Sequence, residues 1–238
     1  MKYIFLVAGK GSRLHPLTLK HPKSMYKLDE DTTLLQRMVH LIKKHDSEAD
    51  IVIVTGHMHR AIEEQVNDAT FVYNPFYEVT NSIASLWFAQ EHMDADNLIL
   101  IDGDIVVSEE LIEDVICKPV DRATVLLDSS VKSDGDYNVE VSGDQVLVMS
   151  KELTSYFGEY TGVTMLDRKS ANLMRTEMNS MIEEGFYDQW YENALVQLIF
   201  KTNFKLYYKD ICDYDWTEVD SVNDLLLAKQ IHLRENRK

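Results

Sequence analysis

A cluster of basic side chains follows the first apolar run of this sequence, in the segment VAGKGSRLHPLTLKHPKSM at residues 7–25. Gly9 and Gly11 let the backbone approach a phosphate group closely, because neither residue carries a Cβ. Arg13 can donate a forked pair of hydrogen bonds to phosphate oxygens, and Lys23 can place a point charge on a nearby phosphoryl group. The spacing matches neither a Walker A loop nor a three-glycine dinucleotide fingerprint. The segment therefore predicts a site for a phosphate-bearing ligand of another kind.

Two carboxylates end a later apolar run, LILIDGDIVVS at 98–108. Asp102 and Asp104 follow the predicted strand directly, so the Asp104 side chain is expected to reach a divalent cation at the carboxyl end of that strand. Carboxylates together with phosphate oxygens suit Mg²⁺. The D-G-D sequence is also common in turns, so these residues alone leave a purely structural role open.

The overall charge limits the partners of this chain. Its 238 residues carry a formal net charge of −16, which disfavours binding to nucleic acids and to anionic membranes. The basic segment 10–27 contains no acidic residue, so it predicts either a small anionic ligand held locally or an ordinary solvated charge run. Cys117 and Cys212 form no C-x-x-C pair, and the apolar runs are too short for a signal peptide or a membrane span. These features favour a reduced, cytoplasmic protein.

Strands and helices alternate along the first half of the sequence, whereas the second half contains strands in quick succession. Alternation of this kind favours parallel pairing, and SGD at 142–144 is typical of a hairpin turn. We therefore expect one α/β domain, with a Rossmann-like mixed, mostly parallel central sheet flanked by helices and a small antiparallel insertion. Strands are predicted at 3–7, 51–55, 70–73, 98–101, 123–128, 137–141, 145–149, 162–166 and 204–208, and helices at 32–45, 58–67, 82–93, 170–184, 188–201 and 221–234.

The order strand, G-x-G-x-R, then P-K ten residues later resembles the signature of nucleotidyltransferases that join a nucleoside triphosphate to a phosphorylated acceptor. The resemblance implies that the loop holds the triphosphate, with Lys23 and Arg13 catalytic and Lys23 acting at the α-phosphate. It also implies a Mg²⁺ ion bound by Asp104 and by Asp220, which precedes the last predicted helix. Under this resemblance the single domain 1–238 divides into a nucleotide-binding half, 1–120, and an acceptor-binding half, 121–238. The nucleotide-binding residues that it implies in the loop are Val7, Ala8, Gly9, Gly11, Ser12 and Arg13.

The segment NPFYEVTNSIASLWFA at 74–89 looks like the phosphocholine cytidylyltransferase group, whose relatives act on 2-aminoethylphosphonate and on glycerol phosphate. The segment YDQWYENAL at 187–195 combines aromatic and acidic residues, which suit a substituted ammonium ion, although an amphipathic helix with core aromatics explains the same pattern. Thr80 to Ser82 also fit the capped start of a helix. The resemblance implies that Thr80, Asn81, Ser82 and Asp102 bind the nucleotide, and that Ser85, Lys151, Tyr160, Glu192, Trp216 and Glu218 bind the acceptor.

These interpretations predict a Mg²⁺-dependent cytidylyltransferase that transfers CMP from CTP to a small phosphorylated or phosphonylated acceptor. The expected partners are CTP and that acceptor, without nucleic acid or membrane, and with a homodimer as an open possibility. One alternative is a sugar-1-phosphate nucleotidyltransferase, which would use another nucleotide and a hexose phosphate. A glycosyltransferase with a D-x-D metal motif, and a binding module without turnover, are lesser alternatives. The glycosyltransferase does not require the G-x-G-x-R and P-K segments, and the binding module would be expected to lose Lys23, Asp104 or Asp220, all of which are present.

Overall fold

The computed structural model describes residues 1–11, 21–132, 135 and 137–235. Its strands are β1 (Lys2–Val7), β2 (Asp50–Thr55), β3 (Thr70–Tyr73), β4 (Asn97–Asp102), β5 (Ile105–Val107), β6 (Thr124–Asp128), β7 (Asn138–Ser142), β8 (Gln145–Ser150), β9 (Gly158–Asp167), β10 (Tyr207–Asp210) and β11 (Trp216–Glu218). Its helices are α1 (Leu34–His45), α2 (His59–Glu63), α3 (Ser82–Phe88), α4 (Glu109–Leu111), α5 (Arg168–Glu183), α6 (Glu192–Lys201) and α7 (Val222–Glu235). Short 3₁₀ turns at Lys23–Met25 and Gln90–Met93 and a π-helical turn at Ile112–Ile116 complete the elements.

A mixed sheet runs through the described part of the chain in the order β3-β2-β1-β4-β9-β6-β10-β8-β7. β3, β2, β1 and β4 are parallel neighbours, β9 pairs antiparallel with both β4 and β6, and β10 is parallel to β6. The β7–β8 hairpin forms the far edge and is the predicted antiparallel insertion. β5 and β11 form a separate two-stranded ribbon. The predicted α/β architecture, with a mixed sheet flanked by helices, is confirmed.

Helices cover both faces of the sheet because side chains alternate along each strand. Along β1, Tyr3, Phe5 and Val7 belong to one buried cluster, and Ile4 belongs to another. The first cluster contains the apolar face of α1, and the second contains the methionines of α5 and the leucines of α6. A third, smaller cluster joins α7 to β5. This layering places the carboxyl ends of β1 and β4 at one edge of the protein.

The helix boundaries follow local capping chemistry. α1 begins after Thr33, whose side chain accepts a hydrogen bond from the backbone of Gln36 while the Gln36 side chain accepts one from the backbone of Thr33. Ser221 caps α7, since its hydroxyl accepts a hydrogen bond of 3.3 Å from the backbone N–H of Asp224. None of the helices in the described ranges is long and apolar enough to cross a membrane.

Several predicted elements differ from the structure in their bounds, and two strands were missed. The helix predicted at 188–201 begins only at Glu192, because the preceding backbone bonds to another loop instead of to itself: Asn81 N donates to Tyr187 O at 3.0 Å and Ile83 N to Gln189 O at 3.2 Å. The strands β5 and β11 were not predicted, because three residues are too few to show a pattern of alternation.

Candidate active site

A cavity of about 360 Å³ opens at the carboxyl ends of β1 and β4, where ligands bind in open α/β sheets. The loops after β1, β3 and β4 form one side, and residues of the second half of the chain form the other. Ser12 and Arg13 lie outside the described residues. Most of the predicted site residues line this cavity, namely Val7, Ala8, Gly9, Gly11, Lys23, Thr80, Asn81, Ser82, Ser85, Asp102, Asp104, Lys151, Tyr160, Glu192, Glu218 and Asp220.

The backbone that follows β1 is open towards the cavity. A Cβ added at Gly9 would meet no atom of the described residues within 4 Å, and Gly11 has a φ of 61°, which glycine adopts without strain. A hydrogen bond of 3.0 Å from His57 N to Ala8 O holds the loop. Lys10 Nζ lies 2.8 Å from Glu78 Oε1. No side chain of the described residues therefore obstructs a phosphate group that approaches Gly9 from the direction of its missing Cβ.

Three carboxylates converge at the inner end of the cavity. One ligand atom from each of Asp104, Glu218 and Asp220 lies within 4.8 Å of the others. The ribbon of β5 and β11 creates this arrangement, since Glu218 is paired with Ile105 and Val219 N donates to Asp104 O at 2.9 Å. Residues distant in sequence thus meet at one point because two three-residue strands are in register.

Gly103 allows the chain to turn sharply between Asp102 and Asp104. Its N–H donates to Leu6 O at 3.0 Å, and a Cβ at this position would lie 2.1 Å from Val7 Cγ1 and 2.8 Å from Leu6 O. No larger residue fits here without a shift of β1. The D-G-D sequence therefore forms a turn, which was the structural role left open by the sequence. The same turn places Asp104 in the carboxylate cluster.

Lys23 lines the cavity and contacts two members of the carboxylate cluster. Its buried ammonium lies 2.8 Å from Asp104 Oδ2 and forms a second ion pair with Asp220. Burial acts to lower the pKa of Lys23, but the carboxylates of Asp104 and Asp220 outweigh that effect, so the pKa is raised. The Lys23 side chain is consequently charged, and it neutralises part of the cluster.

The carboxylate cluster fits a divalent metal ion. Three carboxylate oxygens at this spacing offer the hard ligands that Mg²⁺ prefers, and they leave positions for phosphate oxygens of a substrate. Asp104 and Asp220 would hold such an ion, with Glu218 beside them. Lys23 contacts two of the same carboxylates, so its ammonium and a bound cation would share their negative charge.

The loop after β3 is organised around Asn74, which is fully buried. Its amide nitrogen donates to Thr80 Oγ1 at 3.1 Å and to Ser85 Oγ at 3.0 Å. Asn81 caps α3, because its Oδ1 accepts a hydrogen bond of 2.8 Å from Ser82 N. Asn81 and Ser82 thus form the capped start of α3 and also line the cavity. Asn74, which holds Thr80 and Ser85 in place, was not predicted from the sequence.

The segment before α6 forms the opposite wall of the cavity. Besides the two backbone hydrogen bonds to Asn81 and Ile83, Tyr191 N donates to Ser82 Oγ at 2.9 Å. These bonds hold Trp190 and Glu192 against the cavity. The interpretation of 187–195 as an ordinary amphipathic helix is therefore wrong for its first residues, while Tyr191 is a fully buried core residue.

Aromatic residues line the wall of the cavity that Lys151 and Glu192 help to form. Lys151 Nζ lies 4.2 Å from the centroid of the Trp190 ring, and the Tyr137 ring packs edge-on against Trp190 at 5.8 Å. Tyr137 and Tyr77 also line the cavity, although neither was predicted as a site residue. The sequence offered one signal for Tyr77, since this residue lies in NPFYEV, four residues after the end of a predicted strand, where ligands bind. Tyr137 had none beyond its place at the start of a strand.

Glu192 is the most unusual carboxylate of the site. It is only 5% exposed, and its Oε2 has no hydrogen-bond partner among the described residues. Burial raises the pKa of Glu192 to about 7, and the charge of Lys151 opposes that rise. Burial also raises the pKa of Asp102, with further contributions from Glu192 and Asp104. An acidic, poorly solvated wall of this kind attracts a positively charged group.

Trp216 is the one predicted acceptor residue in the described ranges that the structure does not bring to the cavity. Trp216 and Glu218 lie on the same side of β11 because side chains alternate along a strand, but the two residues are separated by about 7 Å along it. Glu218 therefore reaches the cavity while Trp216 does not. The Trp216 indole packs against the core on the α1 face of the sheet and donates a hydrogen bond of 2.8 Å to Asp128 Oδ2. Trp216 therefore supports the end of β6.

A family model supports the class that this fold and site define. Residues 3–173 match the MobA-like NTP transferase domain. The chain therefore belongs to this family and is a nucleotidyltransferase. The match contains the glycine loop, Lys23 and Asp104.

The chain is also similar to individual nucleotidyltransferases of known activity. The chain is 24% identical over 247 aligned residues to a CMP-5′-(3-aminopropyl)phosphonate synthase from Streptomyces rubellomurinus, covering 94% of this chain and 37% of that protein. It is 24% identical to the choline-phosphate cytidylyltransferase of Streptococcus pneumoniae, covering 99% of this chain and all of that protein. Among solved structures, the CTP:phosphocholine cytidylyltransferase from Streptococcus pneumoniae superimposes with a TM-score of 0.77 at 22% identity, covering 97% of this chain and 98% of that one. The chain thus spans just over a third of the first relative and the full length of the second.

Proposed function

We propose that this nucleotidyltransferase is a cytidylyltransferase that transfers CMP from CTP to a small phosphorylated or phosphonylated acceptor, such as phosphocholine or 2-aminoethylphosphonate, and releases diphosphate. The observation that carries the proposal is one cavity with two chemically different ends. The glycine loop, Lys23 and the carboxylate cluster form one end, and Lys151, Trp190 and Glu192 form the other. The relatives that use cytidine nucleotides favour CTP as the donor.

In the proposed mechanism, the backbone of Val7 to Gly11 binds the triphosphate and aligns it with the acceptor. An anionic oxygen of the acceptor attacks the α-phosphorus, and the bond to the bridging oxygen of the diphosphate breaks, so that the diphosphate leaves with the electron pair. Lys23, with Arg13 as the second predicted catalytic residue, stabilises the charge that develops on the transferred group. The transfer needs neither a protein nucleophile nor a proton donor.

The remaining assignments of the proposal concern binding. Mg²⁺ at Asp104 and Asp220 would supply neutralisation of phosphate charge. Thr80, Asn81, Ser82 and Asp102 are proposed to contact the nucleotide, with Ser12 beside the triphosphate. Ser85, Lys151, Tyr160, Glu192 and Glu218 are proposed to contact the acceptor. Residues 1–120 supply most of the nucleotide side and residues 121–238 most of the acceptor side, although Asp104 and Asp220 meet across this division.

We further propose a cytoplasmic enzyme without nucleic-acid or membrane partners. The net charge of −16 and the two free cysteines support this view.

A diphosphate-release screen tests the proposed function. Purified protein with Mg²⁺ is given each of CTP, UTP, ATP and dTTP in combination with phosphocholine, phosphoethanolamine, 2-aminoethylphosphonate, glycerol phosphate or a hexose 1-phosphate, and the products are identified by mass. Release that requires CTP and a small non-sugar acceptor is the expected result. Release only with UTP or dTTP and a hexose phosphate would instead support the sugar-1-phosphate alternative.

A further inference from the structure

We propose that the acceptor carries a primary ammonium group, and that Glu192 selects it over a quaternary ammonium by accepting its N–H hydrogen bonds. This inference rests on the proposed cytidylyltransferase function and names the class of acceptor for the same cavity. It assigns Glu192 as the residue that determines specificity.

The first observation is the unsatisfied oxygen of Glu192. The residue is 5% exposed, lines the cavity, and has no hydrogen-bond partner for Oε2 among the described residues. Two tyrosine hydroxyl groups of the cavity wall bond elsewhere: Tyr137 donates to Asn193 Oδ1 at 2.9 Å, and the Tyr160 hydroxyl bonds to those of Thr164 and Tyr191. A buried charged group without a partner is costly, so a ligand that donates a hydrogen bond to Oε2 gains that energy on binding.

The second observation concerns what a quaternary ammonium would need. Such a group is bound mainly by the faces of aromatic rings, because it has no N–H to donate. Here the face of Trp190 already carries Lys151 Nζ at 4.2 Å, and Tyr137 packs against Trp190 edge-on, with an angle of 82° between the rings. This wall offers a carboxylate oxygen for an N–H donor, while its Trp190 face is already occupied by a cation.

The third observation is that the wall presents a cation and a carboxylate, although the two form no ion pair among the described residues. Lys151 is close enough to Glu192 to influence its ionisation, so the wall presents one cation and one carboxylate together. A small zwitterion with an anionic phosphoryl or phosphonyl end and a cationic amine end matches this arrangement. Lys151 would attract the anionic end and Glu192 the ammonium. A trimethylammonium group matches the charge but leaves Glu192 Oε2 without a hydrogen bond.

A matched pair of acceptors tests this inference directly. Phosphoethanolamine and phosphocholine differ only in the three N-methyl groups, and ethyl phosphate lacks the amine. With CTP and Mg²⁺, kcat/KM for phosphoethanolamine should exceed that for phosphocholine by about ten- to a hundredfold, the scale of a hydrogen bond to a charged group. Ethyl phosphate should be the poorest acceptor. Equal values for the two amines, or a preference for phosphocholine, would overturn the inference.

Variants of Glu192 show whether this residue causes the preference. Glu192→Met keeps a side chain of similar length without an acceptor, so the ratio of the two kcat/KM values should fall to near one. Glu192→Gln keeps one neutral acceptor and should give an intermediate ratio, which decides the matter even where the methionine variant is unstable. Glu183→Gln removes an exposed carboxylate at the end of α5 and should keep the wild-type ratio. An unchanged ratio in Glu192→Gln would contradict the assignment.

Failure of the inference is distinguishable from failure of the proposed function. Equal use of phosphoethanolamine and phosphocholine with CTP contradicts the inference and leaves the cytidylyltransferase proposal standing. Diphosphate release that requires another nucleotide or a hexose phosphate contradicts the proposed function, and the inference falls with it.

Discussion

At one end of the cavity the carboxylates of Asp104 and Asp220 share the ammonium of Lys23, whereas at the other end Glu192 keeps one buried oxygen without a partner in the described chain. The first end is charge-compensated by the protein itself. The second end leaves a buried polar oxygen that a hydrogen-bond donor on a ligand would satisfy. This difference suggests that the paired end provides the chemistry common to nucleotidyltransferases, while the unpaired end distinguishes between acceptors.

The largest effect should come from Lys23 at the paired end. In the proposed mechanism Lys23→Ala removes the charge that stabilises the transferred phosphoryl group, so kcat should fall by about 10²- to 10³-fold. Steady-state kinetics with CTP and the best acceptor measures this change. Lys27→Ala, which removes an exposed lysine four residues away, is the control and should keep wild-type turnover. Unchanged turnover in Lys23→Ala would remove this residue from the mechanism.

The proposed metal ligands should show the next largest effect. Under that proposal Asp104→Asn and Asp220→Asn each remove one anionic ligand, so the Mg²⁺ concentration for half-maximal activity should rise by about tenfold or more. A Mg²⁺ titration of the initial rate measures this change. Asp213→Asn, an exposed residue shortly before β11, should leave the titration unchanged. Wild-type Mg²⁺ dependence in either cluster variant would show that the assignment of that ligand is wrong.

The unpaired end should respond to pH. Burial raises the pKa of Glu192 from 4.5 to about 7. The ionisable groups that face this carboxylate are Lys151, Asp102, Tyr137 and Tyr160. A primary ammonium binds to the ionised carboxylate, so the KM for the acceptor should fall by up to about tenfold as the pH rises from 6 to 8. The Glu192→Gln variant should show a flatter profile. An equally steep profile in that variant would assign the pH dependence to another group.

The same raised pKa predicts an effect of pH on stability. The folded-state pKa lies above the unfolded value, so the native protein binds the proton more tightly, and stability is lost as the pH rises from about 4.5 through about 7. The loss amounts to about 3 kcal/mol at most, and Glu192→Gln should lack it. Urea unfolding of both proteins at pH 5 and at pH 8 measures the difference. An equal loss of stability in both proteins would show that Glu192 is not its source.

The smallest effect on kinetics should come from substitution of Trp216, which lies at neither end of the cavity. Trp216→Phe leaves Asp128 Oδ2 without its indole donor, so the free energy of unfolding should fall by about 1–3 kcal/mol. The KM for the acceptor should stay unchanged, because the indole packs in the core. Chemical denaturation and acceptor kinetics on the same variant test both statements. A raised KM with unchanged stability would return Trp216 to the acceptor site.

Much of the fold followed from short-range patterns. The buried runs that became β1, β2 and β4 were apolar and β-branched, and α1 lies within the helix predicted at 32–45. The start of α6 was not predictable, because its backbone bonds to residues around Asn81 that are far away in the chain. β5 and β11 were not predictable either, because each is stable only through pairing with the other.

The sequence by itself determined which chemical groups are available: a glycine loop, a lysine after a proline, and carboxylates at the ends of elements. Only the tertiary structure decided which of these groups meet. Lys23 contacts Asp220 across 197 residues because β11 pairs with β5, while the same strand carries Trp216 away from the cavity. Likewise, composition cannot show that Glu192 lacks a partner, since hydrogen bonding depends on the neighbours that folding supplies. Local patterns fix residue types and elements, whereas contacts between distant segments fix charge pairing and burial.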